Sequence, residues 1–256
     1  MVPEILYEDN HILVAFKPAG LLTQGDISGA PCLLEIVKDY LKQRDNKPGN
    51  VYLGMVQRLD RPVSGVIIFA KTSKAAGRLS SQIRNHQVGK LYVALTSQGT
   101  MTGSIPTQWR EVSNYLLRVR DKTTVTQSPA KHSQHGVLRM KTLWVNERSC
   151  FHLIVLITGR KHQIRSQLAH LGMPISGDEK YGSRRPYPLH GGIGLHALCC
   201  LFEHPVKREK MLITAAVPDG FSMDFSSAEM EMIKSKLVSE IDRLGEGCSG
   251  QGPLVI

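Results

Sequence analysis

Short apolar runs separated by turn residues dominate this chain, and few stretches repeat their apolar positions at helical spacing. Ile12-Leu13-Val14-Ala15-Phe16 reads as a strand that stops at Lys17-Pro18-Ala19-Gly20, where proline and glycine set a turn. Val66-Ile67-Ile68-Phe69-Ala70-Lys71 is β-branched and aromatic and predicts a buried strand. Residues 91–95, 150–157 and 211–217 read as further strands. Between Ser97 and Thr142 the pattern is polar and broken by glycine and proline. There 115–117 and 136–138 are short strand candidates, and the segment reads as hairpins and loops over the main sheet.

Leu33, Val37, Tyr40 and Leu41 predict an amphipathic helix near 31–42, with Pro31 in its first turn. Ser73 is placed to cap a helix whose apolar side carries Ala76, Leu79 and Ile83. Residues 167–171 predict a short helix. Ser226 and Glu229 form a capping box ahead of a final helix with Met230, Ile233, Leu237, Ile241 and Leu244 on one side. Strands outnumber helices in a mixed order, which predicts an α+β fold: a mixed, largely antiparallel central sheet flanked by helices and loops. The expected organisation is one domain over 1–225 with an insertion at 97–142, a helix at 226–244 packing on it, and a Gly- and Ser-rich flexible tail at 245–256.

At 256 residues the chain can bury a real core, and 41% hydrophobic with 21% charged residues describe a globular protein. Its net charge of +10 favours a polyanionic partner, because lysine and arginine neutralise phosphates and release counterions. The five cysteines form no C-x-x-C pair, so neither a disulfide framework nor a zinc knuckle is indicated; reduced thiols in a cytoplasm are the simplest account. The first ten residues do not read as a secretory signal, and no run of eighteen apolar residues predicts a membrane span.

Two constellations carry chemistry. Gln57-Arg58-Leu59-Asp60-Arg61-Pro62-Val63-Ser64-Gly65 sets a carboxylate between two arginines on a turn ahead of a strand. Nearby cations favour the ionised form of Asp60, although a structural ion-pair cluster is the commoner meaning of such a pattern. Thr158-Gly159-Arg160-Lys161-His162-Gln163-Ile164-Arg165 places four strong donors at a strand-to-helix turn, where a helix N-terminus adds partial positive charge for an anion. His162 alone reads as a hydrogen-bonding residue, and metal ligation is not indicated at this spacing. In the glycine-rich segment 172–182, Asp178 is placed either to orient a neighbouring arginine or to cap a turn.

The ordered set Arg58-Leu59-Asp60-Arg61, Ser64-Gly65, Ala70-Lys71, Lys90-Leu91-Tyr92, 158–165, Gly177-Asp178, Tyr181-Gly182, His196-Ala197 and His204-Pro205 resembles the RluA-type pseudouridine synthases, from about Ile5 to about Pro218. Lys17-Pro18-Ala19-Gly20 is similar to the family's early turn. The resemblance implies isomerisation of a uridine in RNA, ribosomal or transfer, with no metal, nucleotide or redox cofactor. It implies that Asp60 acts at the ribose, by attack at C1′ or by taking a proton from C2′. It further implies that Tyr92 stacks on uracil and serves the C5 proton, that Arg165 pairs with the aspartate, and that Ile164 packs on the base. Arg58 would enter the RNA stack on extrusion of the target, which chemistry on a stacked nucleotide requires. Arg160 and Lys161 would hold phosphates, with Arg61, His162 and Lys71 as further substrate contacts.

Gln57 departs from the histidine usual at its position. The chain also starts almost at the catalytic region, so no S4-like RNA-binding domain is expected ahead of it, a monomer is the default, and 97–142 becomes a candidate RNA contact. The main rival is a non-catalytic RNA-binding protein of the same fold, which leaves the joint presence of Asp60, Tyr92 and Arg165 unexplained. A small-molecule hydrolase gives the charge no role, and no DNA-binding motif is present.

Overall fold

The computed structural model describes residues 2–46, 48–97 and 105–246. Strands β1 (Ile5–Glu8) and β2 (Ile12–Lys17) lead to helix α1 (Leu33–Arg44), then β3 (Gly54–Met55), β4 (Ser64–Ala70) and α2 (Ser73–Arg84). Strands β5 (Gly89–Ser97), β6 (Arg110–Val119), β7 (Lys122–Thr126), β8 (Gln134–Val145) and β9 (Ser149–Leu156) precede α3 (Gln163–His170). Strands β10 (Leu195–Glu203) and β11 (Lys210–Thr214) and helix α4 (Ser227–Glu246) follow. The fold is α+β with largely antiparallel strand pairing, and the described residues divide into two compact units. One comprises residues up to Val88 with Ala197–Ala216; the other comprises Gly89–His196 and the chain from Val217.

In the first unit β1 pairs β2, β2 and β3 pair β4, and β11 pairs β10, all antiparallel. Both faces of this sheet are covered, so its strands read as continuous apolar runs. Ile12, Val14, Val66 and Ile68 pack with Ala75 and Leu79 of α2. The alternate residues Leu13, Ala15, Ile67 and Phe69 pack with Leu33, Val37 and Leu41 of α1. β10, to which the sequence pattern assigned no element, is buried along most of its length. Pro31 precedes α1 rather than sitting in its first turn, because Cys32 is the N-cap. Thr72, not Ser73, caps α2, its hydroxyl accepting from the Ala75 N–H at 3.2 Å.

In the second unit the order is β5-β9-β8-β6-β7, every neighbour antiparallel. The described part of 97–142 therefore extends the sheet instead of lying over it. β6 and β8 are long strands of 10 and 12 residues, each reading as polar because every second side chain faces outward. Val112 and Leu116 of β6 and Leu138 and Met140 of β8 supply the buried side. α4 lies against β8: Lys141 Nζ meets Glu240 Oε1 at 2.6 Å and Lys236 Nζ donates to the Leu143 carbonyl at 2.9 Å. Its capping box is formed, the Ser226 N–H donating to Glu229 Oε2 at 2.7 Å and the Glu229 N–H to Ser226 Oγ at 3.3 Å. α4 continues through Gly245 to Glu246; the rest of the expected tail, 247–256, lies outside the described residues, as do 98–104 of the expected insertion. No described helix is long and apolar enough to cross a membrane.

Candidate active site

Asp60 sits in the first unit on the turn that enters β4, with a backbone held on both sides. The Thr23 hydroxyl donates to the Leu59 carbonyl at 2.8 Å and accepts the Leu59 N–H at 3.1 Å. The Gly20 N–H donates to the Arg61 carbonyl at 2.9 Å, and Arg61 Nε returns a bond to the Gly20 carbonyl at 2.9 Å. Lys17, with no solvent exposure, donates from Nζ to the carbonyls of Pro18 at 2.9 Å, Leu21 at 2.7 Å and Arg61 at 3.1 Å. Burial pulls the Lys17 pKa down to about 7; the Asp60 charge opposes this and Arg61 adds to it. The result is a carboxylate on a pinned peptide. Arg58 and Arg61 flank it as exposed side chains.

In the second unit Arg165 and Ile164 lie in α3, each about 5% exposed. Asp178 receives Arg165 Nε at 2.7 Å and Nη2 at 2.9 Å, a buried fork that fixes the plane of the guanidinium. Of the two roles open to Asp178 from sequence, it orients the arginine. The Tyr181 ring lies 5.0 Å from the Arg165 guanidinium carbon. Its phenol, pushed up in pKa by burial, accepts the Thr123 N–H at 2.9 Å and bonds His162 Nδ1 at 2.8 Å. His162 itself is left-handed, φ 53°, and turns the chain into α3. Two buried glutamines pin that helix. Gln163 Oε1 accepts from the Thr158 hydroxyl and the Arg160 N–H at 2.8 and 3.0 Å. Gln167 Nε2 reaches the Gly136 carbonyl at 3.2 Å and Asn114 Oδ1 at 3.0 Å. Arg160 and Lys161 remain exposed on the turn, Arg160 Nε donating to the His135 carbonyl at 3.0 Å. Tyr92 stands mid-strand in β5, 8% exposed and in register with Ile154 of β9.

The structure thus gathers Arg58, Asp60 and Arg61 in one loop, and Arg160, Lys161, His162, Ile164 and Arg165 on one turn and helix. Lys71 stands apart, at the opposite end of β4 from Asp60, where its ammonium meets Glu8 Oε1 at 2.5 Å and the Asp9 carbonyl at 2.7 Å. Gln57 Nε2 approaches Cys200 Sγ at 3.7 Å. Among the described residues no three His, Cys, Asp or Glu side chains converge as a cation site. Sequence reasoning gave no role to Lys17, Thr23, Gln163 or Tyr181. A lysine closing an apolar strand was the available signal for Lys17; the others are ordinary residues whose side-chain partners lie 16 or more positions away, save for the local bonds of Gln163.

Residues 11–170 match the family model described as RNA pseudouridylate synthase. Ribosomal large subunit pseudouridine synthase C of Buchnera aphidicola (subsp. Baizongia pistaciae) is 34% identical over 220 residues, covering 82% of this chain and 66% of that protein. tRNA pseudouridine synthase C of Pasteurella multocida is 31% identical, covering 85% of this chain and 92% of that one. The chain therefore spans about two thirds of the Buchnera relative and nearly all of the Pasteurella one. Among solved structures, Human RNA Pseudouridylate Synthase Domain Containing 4 superposes with a TM-score of 0.67 at 23% identity, over 85% of this chain and 90% of that one, a likeness of fold.

Proposed function

Because this chain belongs to the RNA pseudouridylate synthase family, we propose that it isomerises a uridine of structured RNA, ribosomal or transfer, to pseudouridine, with Asp60 as the carboxylate that acts on the ribose. The observation that carries this reading is the pinned Asp60 peptide. Leu59 and Arg61 on either side of it are bonded to the 17–23 turn, so the family's acidic position stands on a backbone that does not need ordering when substrate arrives. An ionised carboxylate at that position serves either as nucleophile at C1′ or as base at C2′. Tyr92 is the residue we assign to the uracil face and the C5 proton, and Arg165, held by Asp178, to orienting the acidic group. Arg58 takes the place vacated by the extruded nucleotide, and Ile164 packs on the base. Arg160, Lys161, Arg61 and His162 contact the RNA. We assign the protein a monomeric state and a reducing compartment such as the cytoplasm; burial of Cys32, Cys150, Cys199 and Cys200 suits reduced thiols there.

The test is a pseudouridine map. RNA from cells with and without the gene is treated with carbodiimide and the reverse-transcription stops are compared. A stop should vanish without the gene and return with wild type but not with Asp60→Asn, while purified Asp60→Asn still binds the same transcript. Full turnover by Asp60→Asn would overturn the assignment.

A further inference from the structure

A basic surface outside the resemblance motifs stands out in the second unit. β6 and β7 close through a two-residue loop, Arg120-Asp121, between the paired residues Val119 and Lys122. Arg118, Arg120 and Lys122 are all exposed there. The one carboxylate in 118–122, Asp121, is taken by Lys180 Nζ at 2.5 Å. Arg120 holds a left-handed backbone, φ 55°, a hairpin position at which glycine or asparagine is the low-strain choice. Its side chain gains no burial in return, although Arg118 Nε braces the turn by donating to the Arg120 carbonyl at 3.1 Å. A strained arginine that does no packing suggests selection for its charge.

The hairpin tip is also tied to the exposed basic turn ahead of α3. Thr123, buried beside Lys122, donates from its hydroxyl to the Lys161 carbonyl at 2.8 Å and from its N–H to the Tyr181 phenol. The same phenol bonds His162, and Lys122 Nζ lies 5.2 Å from the Tyr181 ring. One bonded framework therefore presents Arg118, Arg120 and Lys122 together with Lys161.

We propose that this hairpin tip is a phosphate-binding surface that seats the backbone of the RNA substrate alongside the 160–161 turn. The inference rests on the RNA reading above and narrows the candidate contact from a whole insertion to three side chains. A guanidinium pair and an ammonium on a stiff turn suit phosphate oxygens, and contacts of this kind position RNA without reading its bases.

The test is equilibrium binding of the mapped transcript at graded salt. R118S/R120S/K122S should weaken binding about tenfold or more near physiological salt and flatten the slope of log K against log salt by about two, the release expected of about three phosphate contacts. A control triple of the same charge, K42S/K74S/R84S, alters exposed cations of the first unit and should leave the slope unchanged. Arg120→Gly gives an independent arm: it relieves the backbone, so the melting temperature should hold or rise while RNA affinity falls. Unchanged affinity in the hairpin triple, or an equal loss in the control triple, overturns the proposal. If wild type forms pseudouridine while either of these happens, the hairpin inference alone has failed; if wild type forms none on any transcript, the enzymatic reading has failed with it.

Discussion

A lysine without solvent has to find an acceptor for each N–H it keeps. Lys17 finds three, all backbone carbonyls, and one of them belongs to the residue after Asp60. Replacing it with methionine keeps the volume and removes the donors. The Arg61 carbonyl retains the Gly20 N–H, but those of Pro18 and Leu21 lose this donor in a buried site. Each such loss typically costs about 1–3 kcal/mol, partly offset here by no longer burying an ammonium. Lys17→Met is therefore expected to lower the unfolding free energy by about 2–4 kcal/mol in urea titrations. It should also reduce pseudouridine formation below the melting range, because the Asp60 loop loses its central brace. Wild-type stability in that variant would mean that the three bonds only repay the burial of the charge. The fork between Arg165 and Asp178 follows the same logic in the second unit, with both charges buried and each satisfied by the other.

At the level of elements, legibility followed how many faces an element buries. β2 and β4 were readable because helices cover both sides of them, leaving unbroken apolar runs. β6, β7 and β8 were read as short strands or loops because half of each strand faces outward and carries charge. The Asp60 and Arg165 motifs were legible as local strings of residue types. The bonds that hold them were not, because Thr23 to Leu59 and Asp178 to Arg165 join residues that only folding brings together. Glycines separate by the same kind of context. At Gly65, φ 127°, a Cβ would lie 2.2 Å from the Ala197 carbonyl oxygen, so strand β4 tolerates no side chain there. Gly77, within α2, has open space around its missing Cβ. Gly77→Ala should stabilise the protein by up to about 1 kcal/mol through helix propensity, a rise of roughly 2–4 °C in Tm. Gly65→Ala should yield no soluble folded protein. A folded Gly65→Ala, or a Gly77→Ala that melts lower than wild type, would contradict this reading of the two positions.

For the molecule as a whole, the acid side of its stability is set by groups that folding keeps from taking a proton. His152 is one of them, with no exposure, its Nε2 2.8 Å from the Thr96 hydroxyl and its Nδ1 2.9 Å from that of Thr142. Burial holds its pKa down at about 3, against 6.5 for a free histidine. Between those values the unfolded chain binds a proton that the folded chain refuses. The contribution is complete above pH 6.5 and is lost progressively as pH falls toward 3, by about 1.4 kcal/mol per pH unit at most. Glu8 joins lower down: hydrogen bonds from Arg44 lead in holding its carboxyl below 4.5, burial opposes, and Lys71 assists, so its contribution is lost only as pH falls through that lowered value. Between pH 6.5 and 5 the histidine effect is therefore separable from that of Glu8. Urea unfolding should lose about 2 kcal/mol over that interval through His152. His152→Gln keeps an amide able to bond both threonines and cannot titrate. It should be less stable than wild type at pH 7 yet show a distinctly shallower loss toward pH 5, so that the two curves converge. Parallel curves would place the acid sensitivity elsewhere, at other buried histidines such as His204, whose pKa burial also lowers while Asp9 opposes.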